Sequence, residues 1–327
     1  MTKLSAPRFW QSQFHPLALA LWPIGKIYQI VTQIRIQNAK NVPDVRVPVI
    51  CIGNATAGGT GKTPLVQDIV ARLQTMGRVP HILLRGYGGL METATRVDSG
   101  VHDSLDVGDE ALLHAAIAPT WVGRDRYASA CAAIAAGADI LVMDDGLQNT
   151  SIRPSARWLV VDSAQGFANG YGIPAGPLRE NPTHALARVD AVILVGNGNF
   201  APRTDKPILR VSIGTDENSL TALQGKLIYA FAGIGQPERL RAGLIAAGLD
   251  VVGARSFPDH HTYSAGEIAA LRRRAKLLGA ELVTTQKDFV RLSPHLRAEI
   301  IPVDVKVRWN DPGRLQEILE KSAAFAG

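Results

Sequence analysis

The chain of 327 residues lacks most features that would place it in a specialised class. Its two cysteines, Cys51 and Cys131, are too few and too far apart for a disulfide framework or a zinc knuckle. It contains no internal repeat, low-complexity tract, helix-turn-helix or RNA-binding signature, which argues against repeat arrays and the common nucleic-acid-binding modules. We therefore expect a globular protein with no nucleic-acid partner and no evident obligate protein partner. Both thiols are expected to be small buried residues in a reducing cytosol.

A mild excess of positive charge is present. The 35 lysines and arginines outnumber the 29 acidic residues, giving a net charge of +6 and a pI of about 9.4. This balance suits an anionic partner, such as a phosphorylated substrate or an acidic membrane, without choosing between them. The positive residues are scattered, apart from a run at residues 272–276 that is typical of a solvated helix face.

The N-terminal segment, residues 1–45, is rich in large apolar side chains. It lacks the basic start and cleavage site of a secretory signal. Pro16, Pro23 and Lys26 leave its uncharged run shorter than the roughly 20 residues that a membrane span requires. Its apolar residues recur at helical spacing, at Ile24, Ile27, Tyr28, Val31 and Ile34. Two interpretations remain open: a helix lying in a membrane interface, or a helix packed on the protein's own core.

A glycine-rich loop follows the first strand-like run. Residues 47–52 read VPVICI, residues 53–64 read GNATAGGTGKTP, and a helical pattern then continues to Gly77. Strand, glycine-rich loop and helix in this order predict a phosphate-binding P-loop. Backbone N–H groups would surround the phosphates, while Lys62 would reach the β- and γ-phosphates and Thr63 would bind Mg²⁺. The predicted nucleotide-binding residues are Thr56, Ala57, Gly58, Gly59, Thr60, Gly61, Lys62 and Thr63.

The P-loop departs from the commonest pattern at one position. Thr56 stands where G-x-x-x-x-G-K-[ST] has its first glycine, and the loop instead carries a Gly-Gly pair just before x-G-K-T.

Further along, the apolar run at residues 140–143 ends in Asp144 and Asp145. Carboxylates at the end of a buried parallel strand lie beside the phosphate site, so one of these two is expected to hold Mg²⁺. The residues do not indicate which.

Other polar residues follow strand-like runs. Arg85 lies in LRGYGG, Arg126 in VGRDR and Glu180 in PAGPLRE, all of them candidates for contacts with substrate or phosphate. Asp109 and Glu110 begin a helical stretch, where capping alone would explain them. FPDHHTYS at 257–264 carries adjacent histidines that point in different directions and do not suit a metal pair. TTQKD at 284–288 is either a base-recognition element or a helix cap.

Taken together, these motifs resemble the tetraacyldisaccharide 4′-kinases, the lipid A kinases of Gram-negative bacteria. The resemblance covers nearly the whole chain. It rests on the colinear order of GN-x-x-x-GGTGKTP, LRGYGG, VGDE, DDGLQ, PAGPLRE, AGIG, FPDH and TTQKD. It implies transfer of the ATP γ-phosphate to the 4′-hydroxyl of tetraacyldisaccharide 1-phosphate. It also implies a peripheral or monotopic location on the cytoplasmic side of the bacterial inner membrane, which favours the interfacial helix.

The resemblance also implies roles for individual residues. Asp109 would be the catalytic base and His260 its partner in an Asp–His dyad, with Lys62 stabilising phosphate charge. Thr63, Glu110, Asp144 and Asp145 would surround Mg²⁺. Arg85, Arg126 and Glu180 match positions near the active site. Two departures stand out: Asn149 replaces a histidine that is frequent in the family, and His261 follows His260 directly, so that the choice of His260 rests on register alone.

Strands alternate with helices from about residue 47 to residue 212, which predicts an α/β fold with a P-loop NTPase-like, doubly wound parallel sheet. We expect the kinase core to span residues 46–214, a polar linker 215–226, and a second, smaller α/β domain 227–327. Two alternative functions remain open. A kinase of a soluble sugar would not need the apolar N-terminus. A partitioning or targeting switch ATPase usually carries lysine where Ala57 stands.

Overall fold

The computed structural model describes residues 7–39, 42–234, 237–259 and 261–324. The strands of the described residues are β1 Val49–Gly53, β2 Pro80–Leu84, β3 Thr95–Arg96, β4 Thr120–Val122, β5 Ile140–Asp144, β6 Ala156–Asp162, β7 Ala191–Val195, β8 Ile208–Thr215, β9 Leu227–Ala232, β10 Asp250–Ser256, β11 Ala280–Thr285, β12 Ile300–Val303 and β13 Val305–Trp309. The α-helices are α1 Pro16–Gln37, α2 Lys62–Thr75, α3 Ser104–Val107, α4 Asp109–Ala115, α5 Arg126–Ala135, α6 Pro182–Arg188, α7 Glu217–Thr221, α8 Glu238–Ala246, α9 Ala265–Leu277, α10 Gln286–Phe289 and α11 Pro312–Ala323.

The larger sheet has nine strands in the order β13-β8-β7-β6-β1-β5-β2-β4-β3. Its interior pairs are parallel, whereas β13 and β3 join the two edges antiparallel. β1, β2 and β5 are buried along their whole length, as expected for strands covered on both faces. The predicted doubly wound α/β fold is therefore confirmed.

Helices cover both faces of this sheet. One apolar core lies between the sheet and α2, α4 and α11, and a second lies between the opposite face and α5 and α6. Cys51 belongs to the second core, as predicted. Cys131 is exposed, contrary to expectation, because it lies on the solvent side of α5, between the buried Ala130 and Ala133.

The smaller sheet has four parallel strands in the order β10-β9-β11-β12. The predicted extent of this unit, 227–327, is wrong at its C-terminal end. After β12 the chain returns to the larger sheet, where β13 pairs with β8 and α11 buries Leu315 and Leu319 in the main core. The predicted linker 215–226 is also not a plain linker. It forms α7, and Leu223 is buried in the core of the smaller sheet.

The N-terminal helix α1 presents its apolar face to the outside. Ile24, Ile27, Val31 and Ile34 are 51–62% exposed, while the small or polar Ala18, Gly25, Gln29 and Thr32 face the protein. The interpretation that this apolar face packs on the protein's own core is therefore wrong. No helix in the described ranges is both long and apolar enough to cross a membrane.

The helix is held by a close approach to the loop at residues 171–180. A Cβ added at Gly25 would lie 2.4 Å from the carbonyl oxygen of Gly172, so only glycine allows this contact. Trp10 Nε1 donates to the carbonyl of Pro174 at 3.0 Å, and the Tyr171 hydroxyl donates to the carbonyl of Gln13 at 3.2 Å. The docked face of α1 is thus fixed against the same loop that, further along, supports the glycine-rich loop.

Candidate active site

The glycine-rich loop lies between the end of β1 and the start of α2. Gly58 and Gly61 have φ angles of +119° and +79°, which side-chain-bearing residues rarely adopt. The loop is tied to the segment that follows Pro177. The N–H of Ala57 donates to the carbonyl of Pro177, and the N–H of Arg179 donates to the carbonyl of Ala55, both at 2.7 Å. This arrangement leaves Gly58 and Gly59 exposed at the mouth of the loop, as a phosphate-binding loop requires.

Lys62, the first residue of α2, points toward the end of β5. Its ammonium donates to Asn54 Oδ1 at 3.0 Å and lies 3.4 Å from Asp145 Oδ1. Arg179 Nη1 donates to the other carboxylate oxygen of Asp145 at 2.7 Å. Burial by itself raises the pKa of Asp145, but Lys62 and Arg179 outweigh burial and lower it below its ordinary value. Asp145 is therefore a paired carboxylate, and a cation bound there would compete with two positive side chains.

Asp144 has a different environment, although it is adjacent in sequence. It is 2% exposed, and its Oδ2 lies 2.9 Å from Nε2 of the fully buried His114. Its Oδ1 is buried without a hydrogen-bond partner. Glu110 lies one turn before His114 on α4, and its pKa is raised first by burial and then by the charge of Asp144. An orphaned carboxylate oxygen beside a second acidic group is a fitting environment for a divalent cation.

Mg²⁺ would find only part of its coordination shell in the protein. Within the described ranges, no group of three or more His, Cys, Asp or Glu side chains is gathered closely enough to hold a metal ion alone. Mg²⁺ usually takes one or two carboxylates and completes its shell with water and substrate phosphates. The side chains present therefore fit a magnesium ion that arrives with a nucleotide better than a permanent metal centre.

Asp109, at the start of α4, is in direct contact with the smaller unit, which consists of the four-stranded sheet and helices α7 to α10. It is 6% exposed, and Oδ2 accepts from both Nε and Nη2 of Arg291, with Nε at 3.0 Å. Its Oδ1 accepts from the N–H of Glu110 at 3.1 Å, and Lys287 Nζ lies 3.9 Å from Oδ2. Capping of α4 does not account for this residue, because its carboxylate is turned to the smaller unit. A buried carboxylate that faces two cations at the junction of two units is a candidate functional residue.

The three candidate substrate-contacting residues have unlike environments. Arg85 is exposed. Arg126 is 3% exposed, and its pKa is lowered to about 10, first by burial and then by Arg85. Glu180 is 2% exposed and contacts Arg188, while it accepts from Gln148 Nε2 at 2.6 Å. The contacts of Glu180 are therefore those of a structural residue that braces the turn after β5, whereas Arg85 remains accessible to a ligand.

The predicted dyad member His260 lies outside the described residues. Its neighbour His261 is engaged within the smaller unit, where its ring stacks on Phe257 with centroids 4.7 Å apart. Nε2 of His261 lies 3.1 Å from Glu267 Oε1. Asn149, which replaces a frequent histidine, accepts from the N–H and hydroxyl of Ser151 and so closes a turn.

Sequence reasoning missed two residues of the site, His114 and Arg291. His114 resembles an ordinary residue of an alanine-rich helix, although its spacing of four from Glu110 puts both on one face of α4. Arg291 is 182 positions from its partner Asp109. The base-recognition interpretation of Lys287 and Asp288 fails at Asp288, which is fully buried and serves as the internal partner of Arg291.

Known proteins resemble this chain both in sequence and in fold. A family model described as tetraacyldisaccharide-1-P 4′-kinase matches residues 17–324. The chain is 44% identical to the tetraacyldisaccharide 4′-kinase of Rhodospirillum centenum, over 97% of this chain and 96% of that protein. It is 42% identical to the enzyme of that name from Gluconacetobacter diazotrophicus, over 97% and 98%. The crystal structure of LpxK from Aquifex aeolicus in complex with ATP superposes with a TM-score of 0.79 at 24% identity, covering 94% of this chain and all of that one.

Proposed function

Since the chain belongs to the tetraacyldisaccharide-1-P 4′-kinase family, we propose that the site between its two sheets carries out that family's reaction with Asp109 as the base. The protein is an ATP-dependent kinase of lipid A biosynthesis that phosphorylates the 4′-hydroxyl of tetraacyldisaccharide 1-phosphate, a glycolipid.

In the proposed reaction, the 4′-hydroxyl oxygen forms a bond to the γ-phosphorus as the bond to the β-phosphate oxygen breaks. Asp109 accepts the hydroxyl proton, and ADP departs. The backbone of residues 56–63 surrounds the phosphates, and Lys62 offsets the charge that develops on them. This chemistry needs positioning and charge neutralisation more than covalent participation of the protein.

Mg²⁺ would be held by Asp144 and Thr63, with Glu110 beside them, and when bound it would neutralise charge on the phosphates. Oδ1 is buried without a hydrogen-bond partner in both aspartates, but the carboxylate of Asp145 is already paired with Lys62 and Arg179, which supports Asp144 as the magnesium ligand. On nucleotide binding, Lys62 would exchange Asp145 for phosphate oxygens, and Arg179 would remain to balance Asp145. His260 is the proposed partner of Asp109 on the strength of sequence register.

We also propose that α1 lies in the interface of the cytoplasmic leaflet of the inner membrane. Its outward apolar face is supported by the aromatic Trp22 and Tyr28, 48% and 40% exposed, which suit headgroup depth. The same loop, residues 171–180, contacts α1 at Gly172 and the phosphate-binding loop at Pro177. A membrane-seated α1 would therefore bring the phosphate site close to a headgroup that does not leave the bilayer.

The buried contact of Asp109 at the junction of the two units carries the assignment of the base. The test compares wild type with Asp109→Asn in transfer of labelled γ-phosphate to tetraacyldisaccharide 1-phosphate in detergent micelles. We expect kcat to fall at least about 100-fold, in keeping with loss of a general base, with nucleotide affinity within about threefold of wild type because the P-loop is unchanged. Full activity of Asp109→Asn would exclude this residue as the base. ATP hydrolysis without lipid labelling by wild type would point to a switch ATPase instead.

A further inference from the structure

Arg291 links the two units of the molecule through a chain of buried polar contacts. It lies just after α10, and its side chain is 4% exposed. Nη1 donates to the carbonyl of Gly233 at 2.7 Å and to Asp288 Oδ1 at 3.0 Å, both in the smaller unit. The opposite edge of the same guanidinium, Nε and Nη2, donates to Asp109 Oδ2 in the larger unit. One planar group therefore connects the carboxylate of Asp109 with the smaller unit.

The smaller unit fixes this guanidinium firmly. Asp288 is fully buried, and its Oδ1 also accepts from the N–H of Gly233 at 3.0 Å and from the hydroxyl of Tyr263 at 2.9 Å. Its Oδ2 accepts from the hydroxyl of Thr285 at 2.7 Å. A carboxylate satisfied on both oxygens does not change rotamer without leaving buried donors unpaired, which is costly. The position of Arg291 is therefore fixed by contacts within the smaller unit, independently of Asp109.

Arginine is the side chain that suits this task. Its planar fork offers donors along two edges, so it can bind Asp288 and Gly233 on one side and Asp109 on the other. Lysine would supply a charge but a single ammonium, without the rigid fork. Lys287, whose ammonium lies 3.9 Å from Asp109 and whose side chain is 28% exposed, is much less constrained. Of these two cations, Arg291 is the one whose geometry can orient a carboxylate.

We propose that Arg291 is a positioning residue for phosphoryl transfer. It fixes the orientation of the Asp109 carboxylate and makes that orientation depend on docking of the smaller unit against the larger one. This inference rests on the proposed role of Asp109 as the base. It adds that a competent base exists only when the Asp288–Arg291 pair is in place beside it.

The test uses Arg291→Ala and Arg291→Lys in the full chain, with lipid phosphorylation as the assay and Arg297→Ala as the matched control. Arg297 lies in the same segment and donates to the carbonyls of Leu292 and Val290. For Arg291→Ala we expect kcat to fall about 100-fold, as for a base displaced by roughly 1 Å, with KM for ATP nearly unchanged. Added ethylguanidinium should raise the kcat of Arg291→Ala at least about tenfold, whereas added ethylammonium should leave it unchanged. Arg297→Ala should keep a kcat near that of wild type and gain nothing from ethylguanidinium.

Arg291→Lys keeps the proposal testable if Arg291→Ala does not fold. It retains the charge needed beside two buried carboxylates, so we expect a folded protein with kcat lowered about tenfold and an unchanged KM for ATP. A wild-type kcat in either folded variant, or an increase in kcat, would overturn the proposal. A loss in Arg291→Ala that ethylguanidinium does not reverse, with a lowered thermal midpoint, would also overturn it, since it indicates a structural role alone.

Failure of this inference can be told apart from failure of the proposed function. If Asp109→Asn is inactive while both Arg291 variants behave as wild type, the base assignment stands and the positioning role is wrong. If Asp109→Asn is as active as wild type, the base assignment itself is wrong, whatever the Arg291 variants do.

Discussion

The outward apolar face of α1 makes a quantitative prediction about membrane binding. In Ile27→Ser/Val31→Ser, two side chains that are 62% and 58% exposed lose their apolar surface. Complete burial of such a side chain contributes about 1.5–3 kcal/mol, so the exposed portions of the pair would contribute roughly 2–4 kcal/mol if they enter the membrane interface. At about 1.4 kcal/mol per tenfold, the variant should bind vesicles roughly 30- to 700-fold more weakly.

The assay is co-sedimentation with vesicles of phosphatidylethanolamine and phosphatidylglycerol, followed by lipid phosphorylation in the same vesicles. Serine and isoleucine have similar helix propensities, and both sites are exposed, so the free energy of unfolding should change little. We expect the KM for vesicle-borne lipid to rise while kcat on a short-chain, dispersed acceptor stays constant. The matched control is Ile245→Ser/Leu277→Ser, which removes side chains that are 47% and 80% exposed on α8 and α9.

Two results would refute the reasoning. Vesicle binding by Ile27→Ser/Val31→Ser within about threefold of wild type would mean that this face does not enter the membrane, because it corresponds to less than about 0.7 kcal/mol. An equal loss in the control pair would mean that binding depends on general surface hydrophobicity and not on α1.

Two further predictions concern the loop and the smaller unit. Gly61→Ala should lower the free energy of unfolding by about 1–2 kcal/mol, measured by urea titration, and should raise the KM for ATP. The reason is that φ is +79° at this position and a Cβ would lie 2.6 Å from Ile213 Cδ1. An unchanged KM for ATP would contradict this prediction. Hydrogen bonds from Ser264, first its N–H and then its hydroxyl, lower the pKa of Glu267 to about 2. A lowered carboxyl pKa stabilises the fold above the unfolded value of about 4.5 and loses that effect as the pH falls toward 2. Glu267→Gln should therefore be less stable than wild type at pH 6, with the difference disappearing near pH 2.

The local part of the fold could be predicted from the sequence because each signal lies within a short window. β1 was predictable from the β-branched run before Gly53. The P-loop was predictable from its glycines, and α2 from the helical pattern after Lys62. The run that ends in Asp144 gave β5 in the same way. β13 could not be predicted to leave the smaller unit, because its pairing with β8 joins residues about 90 positions apart, such as Val305 and Thr215.

The site residues likewise fall into those that local patterns predict and those that only tertiary contacts define. Lys62, Asp144 and Asp145 were predictable because parallel neighbouring strands bring their C-terminal ends to one edge, and Ile52 of β1 is indeed in register with Asp144 of β5. The sequence did not separate the two aspartates, since only tertiary contacts pair Asp145 with cations. The contact of Arg291 with Asp109 depends on how two separate cores dock, which no local pattern encodes.

The return of the chain from β12 to β13 has a consequence for how the protein is made. Residues that complete the smaller sheet leave the ribosome before β13 and α11, on which the larger sheet depends. Trp158, fully buried in the larger core, has its indole N–H 3.3 Å from the Ser322 hydroxyl, so part of that core forms only once α11 is present. The smaller unit can therefore form before β13 and α11 have been synthesised, whereas the kinase core is completed only after them. A variant truncated after Val307, which lacks the end of β13 and all of α11, should have a folded smaller unit and an incomplete P-loop domain.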